Sequence, residues 1–239
     1  MSFRLGKWTL MIALAAGAVA PEASAANLVT NGSFESATGF NGSKENLSTL
    51  TLTGWSLGAH GSSGSLGYLV APGQADNGDY LSVYNGFPNQ SPDGGKFVMI
   101  DGDPAWTVPI YQTISGLTVG QVYMLTFYQA AGQQAGFTGP TTERWSVTFG
   151  SDTQLSHKFE LLQGATGQWE KQTMFFQATS ASQVLTFLAV GTPNGAPPIA
   201  FLDGVSMEAV PEPSSIALAA LGIVGVLGGQ LRRSRRASA

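Results

Sequence analysis

The stretch that decides the fold is Gln121-Val-Tyr-Met-Leu-Thr-Phe-Tyr-Gln-Ala130. It is rich in β-branched and aromatic side chains, and successive side chains of a strand point to opposite faces. The two predicted faces are Val122, Met124 and Thr126 on one side and Tyr123, Leu125 and Phe127 on the other. Because both faces are largely apolar, we predict that this strand lies centrally in a sheet.

Shorter runs of the same kind fill the chain on both sides of this strand. Clusters of Gly, Asn, Asp, Pro and Ser separate them and favour turns, and the sequence contains 31 glycines. No segment of residues 26–209 keeps a helical period over three turns. About ten strands in one domain predict an all-β fold, a β-sandwich. Residues 36–50 are polar and are predicted to form a loop. Within Ala26 to Glu35 we predict a short strand followed by a turn at Asn31-Gly32. The other predicted strands are Thr51 to Leu57, Leu66 to Val70, Asp79 to Tyr84, Lys96 to Asp101, Thr107 to Ile114, Arg144 to Phe149, Thr153 to Leu161, Trp169 to Gln177, Val184 to Val190 and Ile199 to Met207.

The N-terminus has the pattern of a secretory signal peptide. Arg4 and Lys7 precede an apolar run from Trp8 to Ala20, and small residues at 23–25 form a cleavage site. We therefore assign residues 1–25 to a signal peptide and expect an exported protein.

The C-terminus is a three-part tail over residues 210–239. It contains Val210-Pro211-Glu212-Pro213, an uncharged apolar helix within 215–231, and a basic tail over 232–239 with four arginines. The sixteen residues from Ile216 to Leu231 would give roughly 24 Å of helix, less than the ~30 Å hydrocarbon core of a bilayer. The arginines would stay cytoplasmic and leave the domain before Pro211 outside.

These three parts resemble the PEP-CTERM sorting signal of Gram-negative bacteria that make exopolysaccharide. The resemblance implies a transient anchor in the inner membrane through the helix, processing near the motif by an exosortase, and delivery to the cell surface or extracellular matrix. The alternative is an ordinary C-terminal membrane anchor that is never cut. Either way, residues 26–209 remain as one domain.

The charge of this domain restricts its partners. It contains five basic and thirteen acidic residues, which gives a formal net charge of 5 − 13 = −8. We therefore expect neither nucleic acid nor anionic lipid to be bound by charge. The sequence has no cysteine, so the exported fold must be stable without disulfides.

The arrangement of strands resembles the galactose-binding-like jelly roll of many carbohydrate-binding modules. The resemblance rests on the motif at 31–35, on Trp55, on the stretch 112–123 and on the closing stretch 201–207, where Asp203-Gly204 replaces the usual pair of acids. It implies a structural Ca²⁺ that joins the first and last strands. The matching positions are Glu35 and Asp203, with oxygens near Asn31 and Ser33; the alternative is that both acids are exposed turn residues.

Aromatic side chains are the candidates for binding polysaccharide, because they stack on the apolar faces of sugar rings. Trp106 lies in a predicted loop, where a core role is least natural. Tyr84, Tyr80 and Trp145 complete the candidate set, whereas Trp55 and Trp169 fit a core better.

Catalysis is poorly supported. His60 and His157 have the flanks of exposed side chains, and Asp101 with Asp103 fits turn chemistry better than a glycosidase pair. We therefore expect a non-enzymatic matrix protein that binds polysaccharide. The alternatives are a purely structural surface protein without a defined ligand and, third, a glycan-active enzyme that uses Asp101 and a partner carboxylate.

Overall fold

The chain forms fourteen β-strands within residues 26–210, the part that this computed structural model describes. The predicted signal peptide and the predicted apolar helix of the tail lie outside the described residues. Among the residues described, no helix is long and apolar enough to cross a membrane. One 3₁₀ helix spans Leu47–Thr49, and the strands are β1 (Ala37–Thr38), β2 (Lys44–Asn46), β3 (Thr51–Leu52), β4 (Ser56–Leu57), β5 (Gly67–Val70), β6 (Phe97–Asp101), β7 (Ile110–Ser115), β8 (Val122–Gln133), β9 (Thr141–Phe149), β10 (Asp152–Leu155), β11 (Phe159–Leu161), β12 (Thr166–Gln177), β13 (Ser182–Thr192) and β14 (Pro198–Ala209).

Two antiparallel sheets form the sandwich. The first sheet has the order β12-β8-β14-β6-β5-β2, and the second has the order β10-β9-β13-β7-β4 with β11 also paired to β9. β1 and β3 form a separate two-stranded pair. This arrangement confirms the all-β jelly-roll sandwich that the sequence predicts.

The central strand β8 is confirmed and is longer than predicted. It pairs with β12 on one side and β14 on the other. Tyr123, Leu125 and Phe127 are buried between the sheets, whereas Met124 and Thr126 on the opposite face are half-buried. Both faces are buried only from Gln129 onward, because another part of the chain covers the first sheet there.

The N-terminal segment is tied to β14 without forming a strand. The amide of Leu28 donates to the Met207 carbonyl, and the amide of Val205 donates to the Gly32 carbonyl. The short strand predicted before Asn31 is wrong, whereas the predicted turn at Asn31-Gly32 is present, and Asn31 and Phe34 have φ of 53° and 55° there. A Cβ at position 32 would lie 1.9 Å from the Val205 carbonyl oxygen, so only glycine allows this close approach.

The inner core lies between the two sheets. It is built from alternate residues of the long strands, since every second side chain points inward. Its largest fully buried members are Phe34, Phe127, Trp145, Phe149, Phe176 and Phe187.

A second, outer core lies on the opposite side of the first sheet. Residues 71–96, which we name the covering segment, fold over this side. Phe87 of the covering segment stacks on Phe201 of β14 with ring centroids 4.0 Å apart. The outer core comprises Leu66, Val70, Ala75, Leu81, Val83, Phe87, Phe97, Met99, Ala130, Ile199 and Phe201.

Two local predictions in this region are wrong. Asp79 to Tyr84 is not a strand, because Leu81 has φ of 57° and the amide of Ser82 closes a turn onto the Asp79 carbonyl. Its apolar residues instead point down into the outer core. The loop predicted for 36–50 contains β1, β2 and the 3₁₀ helix.

Candidate functional site

The outward side of the second sheet is left uncovered by both cores within residues 26–210. The outer core closes the corresponding side of the first sheet over much of its area. On the second sheet the outward residues of β9 are Thr142, Arg144, Ser146 and Thr148, and all four are half-buried rather than buried. We name this surface the open face.

One row of side chains crosses the open face from edge to edge. The strand registers place Ser56 opposite Tyr111, Tyr111 opposite Thr186, Thr186 opposite Thr148 and Thr148 opposite Thr153. Each member carries a hydroxyl group, and the row contains no charge. Five strands at a spacing of about 4.8 Å give this hydroxyl row a length of roughly 19 Å.

Two further hydroxyl pairs flank the hydroxyl row. The hydroxyls of Ser115 and Ser182 lie 3.1 Å apart, and those of Thr142 and Thr192 lie 2.7 Å apart. Pairs of this type satisfy each other between adjacent strands and leave further lone pairs free toward solvent. The open face therefore combines these hydroxyl groups with the outward aliphatic side chains of β13, which are Val184, Leu188 and Val190.

A shallow depression adjoins the hydroxyl row at the β4 edge. It has a volume of about 480 Å³ and is lined by residues that include Thr30, Thr53, Ser56, Tyr111 and Thr113. This volume is within the range of small-ligand sites.

Gln112 holds the depression in shape. Its side-chain amide donates to the carbonyls of Thr30 and Gly54 at 2.9 and 2.8 Å, and its side-chain oxygen accepts from the Thr30 amide at 2.7 Å. Neither Gln112 nor Tyr111 was identified as a site residue from the sequence. The alternation in Ile110-Tyr-Gln-Thr-Ile-Ser115 does contain the signal, because it places Tyr111, Thr113 and Ser115 on one face.

The prediction that Trp145 binds sugar is wrong. Its side chain is fully buried in the inner core, and its indole nitrogen donates to the Phe201 carbonyl at 3.0 Å. A ring with no exposed face cannot stack on a polysaccharide.

The structure does not gather the other three predicted aromatics into one surface. Trp106 is half-buried, packs against the outer core and lies beside Gly64. Tyr84 is half-buried at the Gln133 end of β8, where its hydroxyl donates to the Phe137 carbonyl at 2.6 Å. Tyr80 is 68% exposed on the covering segment. Their roles in binding remain predictions.

Asp203 is the main feature of the predicted metal site. It is fully buried, and neither carboxylate oxygen has a hydrogen-bond partner of normal geometry. The pKa of Asp203 is raised to about 8, mainly by burial and in smaller part by the nearby carboxylates of Asp93 and Glu35, whereas the Ser91 side chain and the Gly204 amide oppose this rise. The structure therefore brings Glu35 and Asp203 together, as the sequence predicted. It also places Asp93 beside them, a residue that was not identified from the sequence.

The remaining members of the predicted metal set fit less well. Glu35 forms an ion pair with the Lys96 ammonium at 2.7 Å and also accepts from the Lys96 amide. Asn31 is occupied by its turn: its carbonyl accepts from the Trp55 indole at 3.0 Å and its side-chain amide binds Ser36 and Thr53. Ser33 is half-buried in the same turn. Within residues 26–210 no three acidic or histidine side chains form a metal-binding group, so a cation here would also need carbonyl oxygens.

Two other acids are buried away from this site. Burial raises the pKa of Asp101 to about 7 and the pKa of Glu143 to about 8. Asp101 accepts a hydrogen bond from the Asp103 amide, and Asp103 accepts from the amides of Ala105 and Gly195. These contacts are those of acids that close a turn, as the sequence indicated.

The tail matches a known sorting signal. Residues 209–235 match the PEP-CTERM protein-sorting motif, and the match includes Val210, Pro211, Glu212 and Pro213. This confirms the sorting signal predicted from the sequence. It indicates export and sorting to the cell surface, and it implies processing by an exosortase.

The domain is similar to part of one curated protein. Halomucin of Haloquadratum walsbyi is 26% identical over 204 residues, which cover 85% of this chain and 2% of that protein. The chain therefore spans a very small part of that relative.

Several solved carbohydrate-binding and adhesin domains are similar in fold. TmCBM61, solved with β-1,4-galactotriose, is 15% identical with a TM-score of 0.43, and the alignment covers 77% of this chain and 99% of that chain. A CBM4 structure is 16% identical with a TM-score of 0.37 and coverage of 76% and 99%. An adhesin domain of Lys-gingipain from Porphyromonas gingivalis is 14% identical with a TM-score of 0.40 and coverage of 70% and 98%. At these identities the similarity concerns the fold alone.

The buried acids predict that stability depends on pH. A carboxyl whose pKa is raised on folding contributes stability that is complete below about pH 4 and is lost as pH rises through the folded pKa. Replacing Glu143 with Gln should therefore reduce the loss of stability between pH 5 and 8 by at most about 1.4 kcal/mol per pH unit. Urea unfolding at several pH values in EDTA measures this slope.

The matched control for Glu143→Gln is Glu160→Gln on the neighbouring strand β11. Glu160 is exposed, and its hydrogen bond to Lys158 lowers its pKa, so its charge does not change in this range. Equal slopes for wild type and Glu143→Gln would show that Glu143 is hydrated or paired in solution.

Proposed function

We propose that this exported surface protein binds a neutral polysaccharide on its open face. The hydroxyl row carries the proposal, because it presents one aromatic ring and four aliphatic hydroxyls in register on an uncovered sheet. The depression beside Tyr111 and Ser56 forms a concave site at the β4 end of the row. No catalytic step is part of this proposal.

The chemistry of the row suits a chain of sugars. A half-exposed tyrosine offers an apolar ring for stacking and a hydroxyl for hydrogen bonding. Serine and threonine hydroxyls donate and accept, so they match the hydroxyls of a sugar without a charge. A rigid sheet also holds these groups in place, which reduces the entropy lost on binding.

The charge of the domain favours a neutral ligand. The formal charge of −8 over residues 26–209 opposes an acidic polymer, and Arg144 is the cation that β9 presents on the open face. A purely structural protein without a ligand is the competing function, and it predicts no binding to any polysaccharide.

Replacing Tyr111 with Ala should weaken polysaccharide binding about tenfold, which corresponds to about 1.4 kcal/mol. The physical reason is the loss of the one aromatic ring in the hydroxyl row. Depletion isotherms on insoluble neutral polysaccharides measure the affinity, and thermal melting checks that the variant folds.

Tyr84→Ala and Tyr80→Ala are the matched controls, because they remove tyrosines on the covering segment. Unchanged binding by both supports the open face. Loss of binding in either control with retention in Tyr111→Ala would move the site to the covering segment. Absence of binding by the wild-type protein across the panel would favour the purely structural function.

We also propose that the tail anchors the protein transiently in the inner membrane of a Gram-negative cell before cleavage. The support is the sorting motif together with the apolar run and arginines that follow it. Intact-mass measurement of the mature protein from its host should give a chain without residues 1–25 and without Arg232 to Arg236. A main product that retains these arginines would indicate an uncut membrane anchor.

A structural Ca²⁺ between Asp203 and Glu35 is our second proposal for this domain. Its support is that the two buried oxygens of Asp203 have no hydrogen bond of normal geometry, although the Ser91 side chain and the Gly204 amide lie near them, and a cation would satisfy both oxygens. Glu35 would have to exchange its ion pair with Lys96 for the ion. The ion would join the N-terminal segment to β14, a connection that no disulfide supplies.

Ca²⁺ at a hundredfold excess over its dissociation constant should stabilise the domain by about 2.7 kcal/mol, because it binds the folded state alone. Thermal melting in Ca²⁺ and in EDTA measures this as a shift of several degrees. Asp203→Asn and Glu35→Gln should each remove most of the shift, and the double variant should lose little more. Asp152→Asn, at an exposed position, should respond as the wild type does. Coincident melting curves in Ca²⁺ and EDTA for protein shown to be metal-free would disprove the site.

A further inference from the structure

The point at which the tail leaves the domain is fixed by hydrogen bonds. The amide of Val210 donates to the Val122 carbonyl at 2.9 Å, and the side-chain amide of Gln121 donates to the Val210 carbonyl at 2.7 Å. The tail therefore starts at the first residue of β8. The other end of β8 is roughly 37 Å away, at about 3.4 Å per residue.

Exposed apolar side chains surround this exit. Val119, Val122 and Phe175 are 63%, 37% and 54% exposed, and we name them the apolar rim. Phe175 of β12 pairs with Met124 of β8, which is two residues from Val122 and on the same face of the sheet. Val119 lies in the turn before β8, which the amide of Gly120 ties to the Ala178 carbonyl. Val122 is therefore bonded to Val210, and Val119 and Phe175 lie at the same end of the first sheet.

The charges near the rim exclude attraction to anionic lipid headgroups. The stretches 116–123, 150–152, 174–182 and 206–210 at this end contain no lysine or arginine, whereas Asp152 is exposed there and Glu208 lies opposite Met124 in the strand register. The part of a partner that contacts these side chains must therefore be apolar.

The length of the connecting chain limits how far the domain can be from the bilayer. Five residues, 211–215, join Val210 to the apolar run that begins at Ile216. Six fully extended steps span at most about 20 Å. When the apolar run is in the membrane, Val210 is held within this distance of the lipid, and the rim lies at the same end of the first sheet.

We infer that the apolar rim rests on the lipid bilayer while the tail is inserted. This inference depends on the transient membrane anchor proposed above. Three partly exposed side chains are too few to bind membranes alone, so the rim orients a domain that the tail already holds. Val122 and Phe175 point outward from the first sheet, whereas the hydroxyl row lies on the outward side of the second sheet, so the row is on the opposite side of the sandwich from these two side chains. The Gln133 end of β8 points away from the membrane.

The absence of cysteine from the sequence gives a direct test. Single-cysteine variants of the full chain, Val119→Cys, Phe175→Cys and the control Leu162→Cys, are labelled with an environment-sensitive fluorophore. Leu162 is 78% exposed and lies near the Gln133 end of β8, so it is a matched apolar control. The proteins are reconstituted into vesicles of phosphatidylethanolamine and phosphatidylglycerol, with and without a lipid-linked quencher.

The inference predicts quenching at 119 and 175 that exceeds quenching at 162 by about threefold or more, because only the rim reaches the acyl boundary. Equal quenching at all three positions in protein that floats with the vesicles overturns the inference and leaves the membrane anchor intact. If the protein does not float with the vesicles, both the lipid contact of the rim and the membrane anchor are overturned.

Two other occupants of the rim give different results. Shielding of 119 and 175 from a soluble quencher, without lipid quenching, shows that protein covers the rim. If this shielding grows with the ratio of protein to lipid, a second copy covers the rim. If it does not, the protein's own tail does. Either result overturns the lipid contact.

Discussion

The stacking of Phe87 on Phe201 packs the covering segment against the first sheet, and this cover determines which sheet surface stays accessible. It adds a second core to a sandwich that already has one between its sheets. A sheet that is covered on its outer side cannot present a flat binding surface there. The second sheet has no such cover within residues 26–210, so its outward residues decide what the domain can bind.

The sequence predicted the long strands well because their pattern is local. In β8 the alternation of apolar side chains both defines the strand and sets its register. It predicted the covering segment poorly, because Leu81 and Val83 alternate as strand residues do and yet pack as a loop. Two alternating apolar residues can belong either to a strand or to a segment that packs over a sheet. The sequence around them does not decide between the two, because the sheet is formed by residues that are distant in sequence.

The candidate site shows the same limit. Trp145 is an aromatic residue of the type that stacks on sugars. It is one of the inward-pointing residues of β9, however, and is therefore buried in the core. Tyr111 lies in the outward set of β7, and its importance appears only once Ser56, Thr186, Thr148 and Thr153 are aligned beside it by strand pairing. Glu35 and Asp203 were found together from the sequence because a resemblance supplied the long-range pairing. Asp93 was not predicted, because the sequence of a turn does not indicate which distant residues lie beside it in the fold.

The bonding of β14 determines how the domain would respond to mechanical load. β14 lies between β8 and β6 in the first sheet, and its last residues also hold the N-terminal segment. A pull on Val210 acts along the strand, so it shears a ladder of hydrogen bonds that must break together. A pull across the strand would instead open the bonds one after another. A protein tethered through its C-terminus in flowing liquid would thus bear the drag in its more resistant direction.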